Sequence, residues 1–428
     1  MSFVRVFLVV AILLLATGTA SGRQTSLFGS ISLLQEYDSN VNLSETNVES
    51  GWSSVLSPSI ILTSESEHDI LSFGYAPGLQ YNYYDESTEV NHYLTLEGTK
   101  LFSKRFSANF TENYLRSNDY TYFVTEYVRQ PGAGVPLSAL EGRNNYWTNG
   151  VAVSADYEYA NNSILGLGYS NEILNNDSPN QDDYVKNHPY LSASYQFNPK
   201  WGTVLSYDYI QGDFTLSEDL NEHVVGAVAN YQWTRHELLF GSFQFDTLDY
   251  EGSRSGYNLY RSDLGWQHQL GPHSALETAA GASYVDPERG DSEMVFNYVV
   301  DYRREIKWGR VSFGGRGGMD QLQFDASENT GLSRFWSVRG DLQYQLSERF
   351  NSQIYASYRE DTFLEVSPEY TDDSLVAGTS LSLAFHRWYA FVVGYSFRQL
   401  NSTLPGNDYD DHRLYVQLNM GKELKRWL

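Results

Sequence analysis

The feature that most limits what this chain can fold into is an alternation of period two, repeated along almost its whole length. Over residues 71–83, Leu71, Phe73, Tyr75, Pro77, Leu79, Tyr81 and Tyr83 are apolar or aromatic, whereas Ser72, Gly74, Ala76, Gly78, Gln80 and Asn82 between them are small or polar. The split returns at Val151, Val153, Ala155, Tyr157 and Tyr159 against Gly150, Ala152, Ser154, Asp156 and Glu158. It returns again at Met294, Phe296, Tyr298, Val300 and Tyr302, and at Tyr389, Phe391, Val393, Tyr395 and Phe397. Successive side chains of a strand point to opposite faces, so each segment of about a dozen residues reads as a strand with one apolar and one polar face. Such faces either pack together in a sandwich or meet lipid.

Turn spacing decides between the two. Short turns fall near Glu65-Ser66, Lys104, Asn161, Pro199, Arg235, Pro272, Lys307, Arg349 and Arg387, about 35 to 41 residues apart except for one wider gap, with one longer polar loop between each successive pair. Two strands, a tight turn and a loop account for that interval, and segregation of short and long connections to opposite ends is the pattern of an outer-membrane barrel. A propeller of similar period needs four strands per repeat and a shared blade motif, which is not found. The expectation is therefore all-β: a single transmembrane antiparallel β-barrel of about 20 strands (18 to 22), running from near Leu27 to near Gly421, with short periplasmic turns and long acidic extracellular loops.

Composition narrows the chemistry. The 428 residues include 34 Tyr, 22 Phe and 9 Trp but no Cys, which removes disulfides, thiolate zinc, iron–sulfur clusters and covalent haem. A net charge of -24 argues against a nucleic-acid surface. Residues 1–22 read as a signal peptide: Arg5, an apolar run from Val6 to Ala16, then small residues around Ala20, too short a run to span a bilayer. The barrel is assigned residues 23–428, which leaves no room for an N-terminal plug.

Tryptophan and charge give the barrel two ends. Trp201, Trp233, Trp266, Trp308, Trp388 and Trp427 fall toward the short turns, and Trp52, Trp147 and Trp336 toward the loops, as expected of indoles anchoring at two interfaces. Lys104, Arg105, Lys200, Arg235, Lys307, Arg349 and Arg387 mark the short turns, while Glu45, Asp85, Asp182, Asp183, Glu218, Asp219, Glu365, Asp372 and Asp410 mark the loops. Two features depart from the pattern. Glu112 falls on the apolar parity of its strand, which implies a bulge or an early exit from the hydrocarbon. In the last strand Leu414, Val416, Leu418 and Met420 form an apolar face that Lys422, Arg426 and Trp427-Leu428 break.

The polar parity supplies the candidate lumen: Asp156, Glu158, Asp208, Asp246, Arg261, Asp263, Glu277, Asp301, Arg303, Arg310, Arg316, Arg339, Asp341, Arg359 and Arg398. Charges of both signs imply water or a polar occupant inside; they serve either as cross-strand ion pairs that hold the wall or as a transverse field acting on solute. The longest loop, 119–144, either folds into the lumen or stands outside. No catalytic or metal-binding motif is present, the nine His are scattered, and no cofactor is implied; Asn407-Asp408-Tyr409-Asp410-Asp411 lacks the Gly and Glu positions of a calcium loop.

The stretch Gln35-Glu36-Tyr37-Asp38-Ser39-Asn40-Val41, followed by Leu56-Ser57-Pro58-Ser59-Ile60 and Tyr75-Ala76-Pro77-Gly78-Leu79-Gln80-Tyr81, resembles the outer-membrane β-barrel porin family of Gram-negative bacteria over about the first hundred residues. The resemblance implies a non-enzymatic channel in contact with outer-membrane lipid and lipopolysaccharide and with the outer-membrane assembly machinery. It also implies a second possibility, a transmembrane sheath around periplasmic and surface multihaem cytochromes or glycan-export proteins, with no nucleic-acid partner.

Overall fold

The computed structural model describes residues 22–118, 144–324, 331–365 and 369–427; nearly all of the expected signal peptide and of the 119–144 loop lies outside them. Twenty strands follow one another: β1 (Gln24–Asp38), β2 (Gly51–Glu65), β3 (Asp69–Asn82), β4 (Ser87–Ser103), β5 (Phe106–Ser117), β6 (Tyr146–Ala160), β7 (Ser163–Asn176), β8 (Tyr184–Asn198), β9 (Trp201–Phe214) and β10 (Leu220–Thr234). The second half comprises β11 (Glu237–Tyr250), β12 (Tyr257–Gly271), β13 (Ser274–Pro287), β14 (Glu293–Ile306), β15 (Gly309–Leu322), β16 (Gly331–Ser347), β17 (Phe350–Phe363), β18 (Tyr370–His386), β19 (Tyr389–Ser402) and β20 (Tyr409–Trp427). Each pairs antiparallel with its neighbours, and β1 pairs with β20 from Asp38↔Arg413 to Thr25↔Trp427, so the sheet closes into a barrel with no free edge strand.

All nine expected short turns are present, and local chemistry explains them. Asn198 Oδ1 accepts from the amides of Lys200 and Trp201, Thr234 Oγ1 from His236, and Ser103 Oγ from Arg105, so at these three turns the polar residue closing the strand caps the turn that follows. A register shift sits just before several of these turns, as at Gln232/Thr234, Gln269/Gly271 and Ala384/His386. The opposite connections are shorter than the sequence suggests because the strands are longer. The β3–β4 connection is only residues 83–86, and Asp372 and Asp410, expected in loops, lie within β18 and β20.

The two irregularities also resolve. No bulge exists at Glu112: β5 keeps register with β4 (Leu96↔Glu112) and β6 (Glu112↔Val151). Instead Glu112 accepts from Asn149 Nδ2 (3.3 Å), and along the same row Asn171 donates to Asn187 Oδ1 (3.1 Å), which also accepts from Tyr169 OH (2.8 Å). A row of amides and a carboxylate across β5–β8 cannot face hydrocarbon, so the apolar belt ends below it. The break in β20 is a β-bulge: Lys425 pairs with Leu27 and Glu423 with Phe28, which leaves Leu424 as the inserted residue.

Burial is inverted relative to a water-soluble protein. Leu264, Met294, Phe296 and Leu167 are more than 60% exposed, whereas Asp246, Arg359, Asp361, Arg398, Asp411 and Arg413 are at most 5% exposed. An exposed apolar belt around a polar interior is the arrangement of a barrel solvated by lipid. The Pro residues fit it: Pro58 and Pro77 face each other across β2–β3, where pairing is interrupted between Leu56↔Leu79 and Ile60↔Tyr75, so neither leaves a carbonyl waiting for an amide.

Candidate functional site

On the inner face carboxylates occur all round, but the arginines keep to one side. On β4–β11 the side chains alternating with the exposed apolar ones include Glu97, Asp156, Glu158, Glu172, Asp208, Glu222 and Asp246, with Lys186 and His188 the basic groups among them. Every arginine of the candidate lumen set lies on β12–β19, as Arg261, Arg303, Arg310, Arg316, Arg339, Arg359 and Arg398, joined by Arg413 on β20. In a ring of twenty strands, β4–β6 stand roughly opposite β14–β16. Acid-only wall thus faces arginine-bearing wall.

The arginine half is knitted into ion pairs. Arg359 contacts Asp361 (2.6 Å) and Asp320 (2.9 Å) and lies over the Phe335 ring at 4.3 Å. Arg413 contacts Asp411 (2.8 Å), Asp38 (3.0 Å) and Glu36 (3.8 Å). Asp301 is shared by Arg316 (3.1 Å) and Arg339 (2.5 Å), Gln353 donates to Asp341, and Arg310 pairs with Glu305 (2.6 Å). Arg398 lies opposite Asp411 in the β19–β20 register, and Glu277 accepts from Gln267. At the boundary between halves Arg261 stands 3.8 Å from the fully buried Asp246, and Asp263 accepts from Asn297. The acidic half is sparsely paired: Asp208 accepts from His188 (2.9 Å), Glu158 from the Asn162 amide, and Asp156 sits near the Cβ position of Gly166.

Two inward-folded segments narrow the mouth at the longer-loop end, and sequence reasoning identified neither. The first is the Asp38-Ser39-Asn40-Val41 stretch. Asp38 Oδ1 accepts from the Asn40 amide, Asn40 Nδ2 donates to the carbonyls of Ser44 and Asp410, and Asn40 Oδ1 accepts from the Ser44 amide. This ties the loop to the top of β20 and points it inward. Val41 becomes almost wholly buried, and Leu43 packs against Tyr146, Leu174, Tyr184, Val376, Leu400 and Tyr409.

The second segment is the top of the β15–β16 hairpin. The β14–β15 ladder stops at Tyr298↔Gly317 although β14 continues to Glu293, whereas β15–β16 pairing continues to Leu322↔Gly331. Above Gly317 the hairpin therefore leaves the wall. A Cβ on Gly318 would stand 2.8 Å from Asn297 Oδ1 and push that side chain aside, and Gly331 returns the chain at φ +80°. Met319 and Leu332 then pack against Leu220, Leu248, Tyr257, Leu259 and Val285 of β10–β13. Gln321 donates to Glu222 (2.7 Å) and accepts from Arg261 (3.1 Å), and Phe324 reaches Tyr184 and Phe214, with Lys186 Nζ 4.4 Å from its ring centre. Arg334 of β16 bonds Glu293 of β14 (2.6 Å) across the place β15 has vacated. The available signal was Gly314-Gly315-Arg316-Gly317-Gly318, a run too flexible for an ordinary strand.

The tryptophans cluster toward strand ends. Trp201 opens β9, Trp233 is next to last in β10, Trp427 ends β20, Trp52 and Trp147 are second in β2 and β6, and Trp308 and Trp388 sit in turns; Trp266 and Trp336 lie several residues inside β12 and β16. Trp147 stands above the Glu112–Asn187 polar row, farther from the apolar belt than an interfacial position requires.

No family model matches the chain, and no curated protein does. Among solved structures it is similar to the siderophore receptor PirA of Acinetobacter baumannii (TM-score 0.53, 10% identity, covering 95% of this chain and 81% of that one). It is likewise similar to a ferric enterobactin receptor mutant of Pseudomonas aeruginosa (TM-score 0.52, 10% identity, 95% and 81%). Similarity to OpdQ of Pseudomonas aeruginosa covers 93% of this chain and 99% of that one, at TM-score 0.45 and 10% identity. The fold is that of bacterial outer-membrane barrels, and with its apolar belt the chain belongs in that membrane.

Proposed function

We propose that this chain is an outer-membrane channel for small hydrophilic solutes, with a lumen polarised between an acidic and an arginine-bearing wall and narrowed by its own inward-folded segments. The observation that carries the reading is the one-sided placement of the cations: arginines interleaved with carboxylates on β12–β20 face an acidic wall almost without cations, and that asymmetry in a low-dielectric tube creates a transverse field that orients dipolar or charged solutes. Ion pairs needed only to hold the wall would leave no reason for eight arginines to share one side. The barrel itself carries no catalytic or redox role in this reading. The polar connections near Asp182, Glu218 and Glu365 face the cell exterior, and the basic short turns face the periplasm.

The alternative is a sheath whose lumen is filled by another chain. The β15–β16 hairpin favours the channel, because its apolar packing on β10–β13 already occupies the space a threaded partner needs. Purified protein in planar bilayers should conduct. A silent protein that gains conductance only after a co-purifying chain is stripped away would favour the sheath. Epitope tags beside Glu218 should label on intact cells; labelling only after permeabilisation would reverse the orientation.

A further inference from the structure

Toward the short-turn end the inner wall opens into a cavity of about 890 Å³. Its lining contains five arginines against three carboxylates, Glu277, Asp301 and Glu305, in a chain whose overall charge is -24. Turn residues such as Pro272 and His273 form its rim, so it opens at that end of the barrel rather than at the narrowed mouth.

The carboxylates do not neutralise the arginines. Arg316 and Arg339 divide the single carboxylate of Asp301 between them, which leaves one guanidinium charge uncompensated. Arg316 Nε is buried without a hydrogen-bond partner. Arg310 is matched by Glu305, but Arg303, on the same face of β14 as Asp301, makes no ion pair among the described residues. Forked donors on three adjacent strands, those of Arg316 and Arg339 only partly engaged by Asp301 and those of Arg303 in no ion pair, line one cavity and suit the oxygens of a phosphate or carboxylate better than they suit a structural network.

We propose that this cavity is a binding site for multivalent oxyanions, with Arg303, Arg316 and Arg339 as the contacting groups and Asp301 as the carboxylate that keeps Arg316 and Arg339 aligned while the site is empty. This deepens the channel reading by naming its solute class: small solutes bearing two or more phosphate or carboxylate groups. The acidic wall opposite repels the same solute and holds it against the arginines. An acidic segment of another protein carries the same chemistry, but a cavity of this size suits a small molecule.

The probe is inorganic tripolyphosphate, used with purified full-length barrel in two measurements. In calorimetry it should bind wild type, bind at least tenfold more weakly to Arg316→Gln/Arg339→Gln, and weaken severalfold for Arg303→Gln, which breaks no ion pair and so tests the site should the double variant fail to assemble. In planar bilayers it should block current when added from the short-turn side far more strongly than from the loop side. Equal affinity in wild type and Arg303→Gln, or no binding in wild type, overturns the site. A barrel that never conducts but still binds tripolyphosphate through these arginines removes the channel reading and leaves the site standing.

Discussion

The two halves of the wall are built from the same strand pattern and similar apolar belts, yet they solve the problem of inward charge differently. On β12–β20 most inward arginines meet a carboxylate within two strands, so Arg359 and Asp361 or Arg413, Asp411 and Asp38 can be buried together. On β4–β9 the inward carboxylates Glu97, Asp156 and Glu158 have no cation within an ion-pair distance among the described residues. An unpaired carboxylate stays ionised only with water beside it. The acidic half must therefore remain wet, whereas the arginine half can close around its own charges. The buried ion pairs that hold the barrel thus lie on one side of the tube, and the unpaired, hydrated carboxylates on the other.

The hairpin top that leaves the arginine half at Gly318 and crosses to Phe214 and Tyr184 of the acidic half connects the two, and removing it should have the largest effect. A barrel in which a two-residue glycine turn replaces residues 319–332 should conduct severalfold more in planar bilayers while still migrating as a heat-modifiable band. Unchanged conductance would mean that the hairpin does not narrow the path.

Next in size is the difference in stability between the halves. Removing one partner of a buried ion pair strands the other, at about 3 to 5 kcal/mol, whereas an exposed pair contributes about 0 to 1 kcal/mol. Arg359→Ala leaves Asp361 and Asp320 facing each other and should lower the temperature at which the barrel band unfolds on semi-native gels by many degrees. Asp208→Asn, which loses only the His188 contact, should barely move it. Equal shifts for the two would erase the distinction drawn between the walls.

Selectivity should show the converse. Asp156→Asn with Glu158→Gln breaks no ion pair, so assembly should be unaffected, while the reversal potential in a salt gradient moves toward anions by about a factor of two in permeability ratio, the direction Coulombic focusing dictates. A reversal potential that stays put would leave the acidic wall without a role in conduction.

How much of this was legible in the sequence follows from how local each feature is. Strand number and all nine tight turns could be read because alternation and a Ser, Thr or Asn before a turn act over a few residues. Parity along each strand nominates individual inward charges. That all the arginines gather on one side could not be seen without the ring, because opposition depends on there being twenty strands and on β1 meeting β20. The inward folds were missed for a related reason: the Asn40 bond to Asp410 joins residues 370 positions apart, and Met319 and Leu332 pack against residues of strands β10–β13, far back along the chain. The Gly314–Gly318 run marked the place without giving the direction.

The smallest effect expected is one of pH, and it compares two glutamates that grip the same β11–β12 loop from opposite halves. Glu218, from the β9–β10 loop, accepts the amides of Arg254 and Ser253 at 2.8 and 2.6 Å, and these bonds hold its pKa below the ordinary value. Glu365, from the β17–β18 connection, accepts from Arg254 Nε at 2.8 Å and from Tyr250 OH at 3.0 Å, but burial outweighs the arginine and raises its pKa. The signs are opposite. The Glu218 contribution is present above the ordinary glutamate pKa and is lost as pH falls through its lowered value, whereas that of Glu365 is present below the ordinary value and is lost as pH rises through its raised one. On acidification Glu365 takes its proton first and Glu218 last. Hydrogen exchange at Ser253 and Arg254, corrected for the intrinsic rate at each pH, should accordingly keep its protection through the range in which Glu365 titrates and lose it only below the usual carboxylate range. Loss of that protection already above the usual carboxylate range would show that Glu365, rather than Glu218, holds the loop.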